Sequence, residues 1–241
     1  MKIEGKNPVK ELLNSEATIE KVMFADGNRD GELRQLEQIA RDKKIKVEFV
    51  PKQALDRASQ TGHHQGVIAE YNDFEYADLD EIINAAKSKN QDLLFVILDE
   101  VLDPHNLGSV IRVAECAGAT GVIIPARRSA NVNETVVRTS AGATAYMPVI
   151  KVQNLNQTIE KLKSQNVWVY ALDMDGENMC RTNLKGDIAL VVGGEGSGVH
   201  SLTKKLCDGV VSIPMFGKVN SLNASVSAGI VVYEAVRQRS K

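Results

Sequence analysis

Helical and strand-like patterns of apolar residues alternate over the first 72 residues of the chain. Val9, Leu12 and Leu13 recur at helical spacing, whereas residues 45–50 alternate apolar and polar positions, as a half-buried strand does. By the same criteria, strands are predicted at 19–24 and 66–71, and helices at 33–40 and after Pro51. This alternation predicts a small α/β domain at residues 1–72.

A second domain is predicted after a polar, acidic stretch. Residues 73–90 contain a single helical piece around Leu79, and we predict a linker there. Residues 92–98 are a continuous apolar run, which is typical of a strand buried on both faces of a sheet. Further strands are predicted at 121–124, 145–150, 167–172, 188–192 and 210–213, and helices at 107–116, 156–163 and 222–239. The pattern indicates an α/β domain at residues 91–241.

Two of these strands run into loops rich in glycine and small polar residues. The strand at 188–192 leads into a turn with glycine at 193, 194, 196 and 198, and the strand at 210–213 leads to a helix start containing Ser221, Asn223 and Ser225. Glycine lets the backbone approach a ligand closely, and serine and asparagine supply helix caps and hydrogen-bonding groups. Because ligands bind outside the carboxyl ends of parallel strands, we expect both loops to form one pocket.

The glycine turn has two other interpretations, a plain tight turn or the dinucleotide loop of an oxidoreductase. The dinucleotide fingerprint requires GxGxxG near a first strand, with an acidic residue about 20 positions later. Here the spacing is GxGxG and the turn lies late in the chain. Together with the serine- and asparagine-rich segment downstream, it favours an adenosine-type ligand.

Asn106 and Arg112 follow the apolar run at 92–98. Either residue alone fits a structural role, Asn106 as a helix cap and Arg112 as a solvated helix residue. Asn106 comes directly after an Asp-Pro turn at the end of a buried strand, where functional loops are common. Arg112 lies six residues further on, so we expect both side chains on the same side of the helix. A planar guanidinium in this position suits a phosphate group.

Composition limits the classes of protein that the chain can represent. Its 241 residues have a net charge of −2, so any affinity for RNA must come from local groups such as Arg127, Arg128 and Arg138. Three cysteines without CxxC spacing favour a reducing, cytoplasmic environment. The four histidines show no metal-ligand spacing. No metal site is therefore expected. The N-terminus lacks the apolar core of a signal peptide, and without an apolar run of about 18 residues no membrane span is expected either.

Three segments, taken together and in order, resemble the motifs of one enzyme family. They are residues 98–112, residues 193–199, and residues 213–217 with 221–225. The segments resemble those of the SpoU (TrmH-like) RNA 2′-O-ribose methyltransferases, especially the bacterial 23S rRNA guanosine-2′-O-methyltransferases. The resemblance implies a SPOUT α/β fold with a C-terminal trefoil knot, an L30e-like RNA-binding domain at residues 1–72, and a homodimer.

The same resemblance implies a cofactor and roles for individual residues. S-adenosylmethionine is the expected cofactor, and no metal is required. The residues expected to line its pocket are Gly193, Gly194, Ile213, Met215 and Leu222. The residues expected in catalysis are Asn106, Arg112, Glu195, Ser221 and Asn223. A guanidinium is not readily deprotonated, so we interpret Arg112 as a phosphate anchor and oxyanion stabiliser, and Glu195 as the proton acceptor.

The resemblance therefore implies that the protein methylates the 2′-oxygen of a ribose, and that this ribose belongs to a guanosine in 23S rRNA. The alternatives are a tRNA 2′-O-methyltransferase and a non-catalytic RNA-binding or ribosome-assembly factor. RNA contacts are expected in the first domain from Lys6, Lys10, Arg29 and the loop containing His63 and His64. A homodimer surface is expected on the last helix, from Ala228, Gly229, Ile230, Val231 and Val232.

Overall fold

A computed structural model describes residues 2–15, 18–27, 30–59, 61–72, 74–194, 196, 198–218 and 221–240. The chain divides into two compact units, Met1–Phe74 and Glu75–Lys241. Both units have the α/β architecture that the sequence predicts, and each is described separately below.

The first unit is a four-stranded sheet with helices on both faces. Its strands are β1 (Lys2–Glu4), β2 (Thr18–Ala25), β3 (Lys46–Val50) and β4 (Val67–Asn72). Its helices are α1 (Lys6–Asn14), α2 (Gly31–Asp42) and α3 (Lys52–Ala58). The strand order is β1-β4-β2-β3, with β2 and β3 parallel and the other pairs antiparallel. One core contains Leu13, Phe24 and Leu36, and a smaller cluster places Leu55 of α3 against Met23 and Ile68.

The second unit is a six-stranded sheet in which all neighbouring strands are parallel. Its strands are β5 (Leu94–Asp99), β6 (Gly121–Pro125), β7 (Val149–Val152), β8 (Trp168–Asn178), β9 (Ile188–Gly193) and β10 (Gly209–Ser212). Its helices are α4 (Leu79–Ser88), α5 (Pro104–Cys116), α6 (Glu134–Thr139), α7 (Leu155–Ser164), α8 (Ser201–Leu206) and α9 (Ala224–Arg239). The strand order is β10-β8-β9-β5-β6-β7. Every residue of β5 is buried, and its first five residues are apolar, as burial on both faces of a sheet requires.

The structure differs from the linker predicted at residues 73–90. Helix α4 lies within this stretch, and its Leu79, Ile83 and Ala86 are buried in the core of the second unit. Before the helix, the Ala77 N–H donates to the Val149 carbonyl at 2.9 Å. From Glu75 onward the segment is therefore part of the second unit. Its many charged residues are those on the solvent side of an amphipathic helix.

The face of α9 that was expected to bind a second copy is largely buried within the chain itself. Ala228, Val231 and Val232 are at most 1% exposed, because the helix packs against α5 and β9. The large apolar side chains of α9 that remain about half exposed are Val226 and Tyr233, seven residues apart. Three of the five residues predicted for the dimer surface are therefore not accessible to a partner, whereas Gly229 and Ile230 are partly exposed. Both the homodimer and the trefoil knot stay predictions.

Candidate active site

A cavity of ≈ 570 Å³ opens at the carboxyl ends of β8, β9 and β10. It is lined by all five residues expected at the cofactor pocket: Gly193, Gly194, Ile213, Met215 and Leu222. Ser221 and Asn223, which were expected in catalysis, line it as well. The volume lies within the range of roughly 300–1,000 Å³ that is usual for small-molecule sites. The structure thus joins the glycine turn and the segment before α9 into one pocket.

The glycine turn is tight because separate backbone segments touch there. A Cβ atom added to Gly193 would lie 1.9 Å from the carbonyl carbon of Gly198, and one added to Gly194 would lie 2.3 Å from the Glu100 oxygen. The Gly198 N–H donates to the Gly194 carbonyl at 3.2 Å, and the Gly194 N–H donates to the Asp99 carbonyl at 2.9 Å. Glycine is therefore required by the turn itself as well as by a ligand.

The amide side chains of Asn106 and Asn223 meet at the starts of two helices. Asn106 lies in the first turn of α5 and is 4% exposed. Its Oδ1 accepts a hydrogen bond from Asn223 Nδ2 at 2.9 Å. Asn223 Oδ1 in turn accepts from the Ser225 N–H at 2.9 Å and caps α9. Two positive helix ends are thus joined beside the pocket, where they favour negative charge.

Arg112 does not share the position of Asn106. Six residues make about 1.7 turns of an α-helix, so the two side chains point about 120° apart around α5. Asn106 is buried, whereas Arg112 is exposed and is not among the residues that line the cavity. The expectation that both side chains lie on one side of the helix was therefore wrong. The exposed guanidinium remains available to RNA from the solvent side of α5.

Glu195 lies outside the described residues, so its role as proton acceptor stays a prediction. Ser221 is exposed to solvent and lines the cavity two residues before the cap of α9. Its hydroxyl can donate and accept hydrogen bonds toward a ligand.

The further residues that line the cavity include Leu172, Asp173 and Met174 of β8, which were not identified from the sequence. They lie in an interruption of the ladder between β8 and β10. Ala171 pairs with Val210, but the next residue of β10 pairs with Glu177, so residues 172–176 are extra relative to β10. The available signal was that Asp173, an acidic residue, directly follows the strand predicted at 167–172.

Lys204 of α8 links two carboxylates of this extra segment. Its Nζ lies 2.9 Å from Asp173 Oδ2 and 2.6 Å from Asp175 Oδ1. These hydrogen bonds raise the pKa of Lys204 above its usual range. The bond from Lys204 likewise lowers the pKa of Asp175. Both shifts favour the charged forms of Lys204 and Asp175.

In the first unit, several groups expected to contact RNA already have protein partners. His64 is 4% exposed, with Nε2 2.9 Å from Asp56 Oδ1 and Nδ1 accepting from the Gly66 N–H. Lys6 forms ion pairs with Asp30 and Glu32. Lys10 and His63 are exposed, and Arg29 lies outside the described residues.

The part of the chain that the structure describes has neither a metal-ligand cluster nor a membrane-spanning helix. It contains no group of three or more His, Cys, Asp or Glu side chains placed to hold a metal ion. No helix there combines the length and apolar character needed to cross a membrane.

Comparison with known proteins covers both units of the chain. Residues 93–233 match the SpoU rRNA methylase family, and residues 2–77 match the RNA 2′-O-ribose methyltransferase substrate-binding family. A putative TrmH family tRNA/rRNA methyltransferase, YacO of Bacillus subtilis, is 42% identical over 238 residues, covering 98% of this chain and 95% of the relative. A protein of the same description from Staphylococcus haemolyticus is 42% identical over 239 residues, covering 98% and 95%.

Solved structures give the same result. The SpoU methyltransferase AviRb from Streptomyces viridochromogenes, in complex with the cofactor AdoMet, has a TM-score of 0.63 and 25% identity, covering 99% of this chain and 90% of that one. The TrmH/SpoU tRNA modifying enzyme of A. aeolicus has a TM-score of 0.58 and 27% identity, covering 66% and 85%.

A parallel sheet with a glycine-lined pocket at its strand ends, matched by these structures, defines a methyltransferase of the SPOUT class. More specifically, the chain belongs to the SpoU rRNA methylase family, as an RNA 2′-O-ribose methyltransferase of the TrmH/SpoU group. S-adenosylmethionine is the cofactor of this family. The lining fits such a molecule, because apolar side chains and glycine backbone surround a few polar groups.

Proposed function

We propose that this enzyme methylates the 2′-oxygen of a guanosine ribose in 23S rRNA, with S-adenosylmethionine bound in the cavity of the second unit. The observation that carries the proposal is the position of the Asn106–Asn223 pair beside a pocket lined by all five expected cofactor residues. This arrangement also argues against a non-catalytic RNA-binding or assembly factor, because such a protein does not require a hydrogen-bonded asparagine pair next to a cofactor pocket.

In this mechanism the protein positions the reacting groups and stabilises charge. The bound cofactor supplies an electrophilic methyl group. The loops after β9 and β10 hold the cofactor so that the ribose oxygen can approach in line. The joined helix starts at Asn106 and Asn223 stabilise negative charge that develops on that oxygen. Arg112 anchors an RNA phosphate from the exposed side of α5, and Glu195 accepts the hydroxyl proton.

The choice of rRNA rests on family analogy, because residues 93–233 match the SpoU rRNA methylase family and the first unit matches the substrate-binding family of RNA 2′-O-ribose methyltransferases. Exposed basic groups can contact RNA, including Lys10 in the first unit and Arg127 and Arg138 in the second. Relatives described as tRNA/rRNA methyltransferases support tRNA as the second candidate substrate.

The test is methyl transfer from labelled S-adenosylmethionine to 23S rRNA and to bulk tRNA, both taken from cells that lack the protein. Labelled 23S rRNA, with the mark mapped to the 2′-oxygen of one guanosine, is the expected result. Labelling of tRNA alone would show that tRNA is the substrate. A mark on the ribose of another nucleotide would show that the target is not guanosine. If neither RNA is labelled although the cofactor binds, the proposed catalytic function is wrong.

We also propose a cytoplasmic homodimer. The cytoplasmic location follows from the RNA substrate. For the dimer, Val226 and Tyr233 place two half-exposed apolar side chains on one side of α9, because seven residues are about two helical turns. Light scattering at micromolar concentration should give twice the chain mass, and a monomer mass would exclude the dimer.

A further inference from the structure

The cofactor cavity contains a charged side chain for which the proposed mechanism has no use. Among its lining residues that the structure describes, Asp173 is the only one with a charged side chain. The others are apolar, glycine, serine or asparagine residues. A carboxylate in a mostly apolar pocket is costly unless it has a cationic partner. S-adenosylmethionine carries two cationic centres, its sulfonium and its α-ammonium group.

The carboxylate of Asp173 is held in a fixed position. Oδ1 accepts from the Met174 N–H at 2.7 Å, and Oδ2 accepts from Lys204 Nζ at 2.9 Å. A Cβ atom built on Gly198 would lie 4.0 Å from Oδ2, so the carboxylate lies close to the glycine turn. The Asp173 side chain is 25% exposed, and an ionised carboxylate accepts about four hydrogen bonds. It can therefore accept a further donor or cation from within the cavity.

The charge in this cluster is not balanced by its own members. Lys204 contributes one positive charge and contacts both Asp173 and Asp175, which contribute two negative charges. Asp173, which lines the cavity, and Asp175, which does not, share the excess negative charge. Asp175 has a side chain that is 66% exposed, and it is not among the lining residues. Asp173 is therefore the member of the cluster that can contact a ligand directly.

We propose that Asp173, positioned by Lys204, binds a cationic centre of S-adenosylmethionine and makes the pocket prefer the charged cofactor to neutral adenosine thioethers. The inference rests on the proposed function, because it requires the cofactor to occupy this cavity. Asp173 acts in cofactor binding and takes no part in the transfer of the proton.

Calorimetry on the full chain tests the proposal with two ligands that differ in charge. S-adenosylmethionine carries the sulfonium and the ammonium, whereas 5′-methylthioadenosine keeps the adenosine and sulfur but has no charge. The readout is the ratio of the two Kd values for each variant, so that a partly unfolded preparation affects both ligands equally. Asp173→Asn should weaken S-adenosylmethionine binding by about tenfold, with little change for methylthioadenosine.

The matched control is Asp175→Asn, which removes the same charge and the same Lys204 contact outside the cavity. It should change the ratio of Kd values less than about twofold, because exposed charges are screened. If Asn at position 173 prevents folding, Asp173→Ser replaces it, since its hydroxyl can still accept the Met174 N–H. S-adenosylhomocysteine, which has the ammonium but no sulfonium, identifies the centre. If the Asp173 variant binds S-adenosylhomocysteine more weakly than the unmodified protein does, Asp173 contacts the ammonium. If this binding is unchanged, Asp173 contacts the sulfonium.

Three results would overturn the proposal. Equal changes in Asp173→Asn and Asp175→Asn would show that only the general field of the cluster acts. Equal weakening of methylthioadenosine binding would place Asp173 on the adenosine part of the ligand, and unchanged Kd values for both ligands would exclude any role. Failure of the proposed function is a separate outcome, since it would be seen in the unmodified protein, as no binding of S-adenosylmethionine or as no labelling of RNA.

Discussion

At the residue scale, Gly193 lies where two backbone segments of the glycine turn touch. Replacement with alanine would place a Cβ atom 1.9 Å from the Gly198 carbonyl carbon, a distance that only a shift of the turn can relieve. We expect Gly193→Ala to lower the free energy of unfolding by about 3 kcal/mol or more and to weaken cofactor binding. Urea unfolding and calorimetry measure the two effects.

Gly217 is the matched control for Gly193. It follows β10 in the same unit, and a Cβ atom added there has no heavy atom within 4 Å and meets no left-handed backbone. Gly217→Ala should therefore leave the free energy of unfolding nearly unchanged. Equal losses in both variants would show that the close contact at Gly193 is not the cause.

Cysteine reactivity is a second property set at this scale. Burial raises the pKa of Cys207 to about 12, and its Sγ donates to the Thr203 carbonyl at 3.2 Å. Because the thiolate is the reactive form, iodoacetamide at pH 8 should modify the exposed Cys116 and Cys180 and leave Cys207 unmodified. Peptide mass spectrometry reads the sites, and unfolding in urea should make all three react. Rapid labelling of Cys207 in the folded protein would contradict its burial.

The chemistry of single residues was easier to predict from sequence than their direction in space. The sequence shows that Asn106 and Arg112 are polar, but it was misread for their directions. The rotation of the helix between them leaves the Asn106 amide buried and the Arg112 guanidinium exposed. Asp173 was missed because its place in the cavity depends on how β8 pairs with β10. A sequence pattern shows that a strand exists, but not where its ladder is interrupted.

At the element scale, Asn223 combines two tasks at the start of α9, and substitutions can separate them. Asn223→Ala removes the cap and should lower the free energy of unfolding by about 1 kcal/mol. Asn223→Asp keeps a capping oxygen near the positive end of the helix but has no N–H to donate to Asn106 Oδ1. We expect the aspartate variant to retain stability in urea unfolding and to lose most methyl transfer.

Asn154 provides the control for Asn223, because it caps α7 through the Asn156 and Gln157 N–H groups and does not line the cavity. Asn154→Ala should lose similar stability and keep full activity. Normal methyl transfer by Asn223→Asp would show that the hydrogen bond to Asn106 is not needed in the reaction.

The elements differ in how well their burial could be predicted. The continuous apolar sequence of β5 indicates burial on both faces, and the structure agrees. Helix α9 has Ala228, Val231 and Val232 near one another, a set that fits either a core or a partner surface. Only its packing against α5 and β9 shows that the chain buries these side chains itself.

At the scale of the whole molecule, two α/β units were predictable from alternating helical and strand periodicity, but their boundary was not. Charged residues along α4 resemble those of a linker, although Leu79, Ile83 and Ala86 belong to the core of the second unit. Their burial depends on strands that come later in the sequence, which composition alone cannot show. The boundary after Phe74 therefore determines which fragments should fold.

Two fragments test this boundary. The fragment 75–241 keeps α4 and should fold and bind S-adenosylmethionine as the full chain does. The fragment 91–241 exposes the surface that Leu79 and Ile83 cover. Each such side chain contributes roughly 1.5–3 kcal/mol when buried, so we expect a loss of about 5 kcal/mol or no stable fold. Urea unfolding followed by circular dichroism compares the two fragments directly.

The fragment 75–241 also tests the role of the first unit. If the first unit supplies RNA contacts, this fragment should bind the cofactor normally but methylate 23S rRNA far less than the full chain does. Because phosphate contacts release counterions, the difference should depend on salt concentration across a titration.

Equal stability of 75–241 and 91–241 would contradict the structural role of α4. Undiminished methylation by 75–241 at every salt concentration would show that the first unit does not contribute to RNA binding.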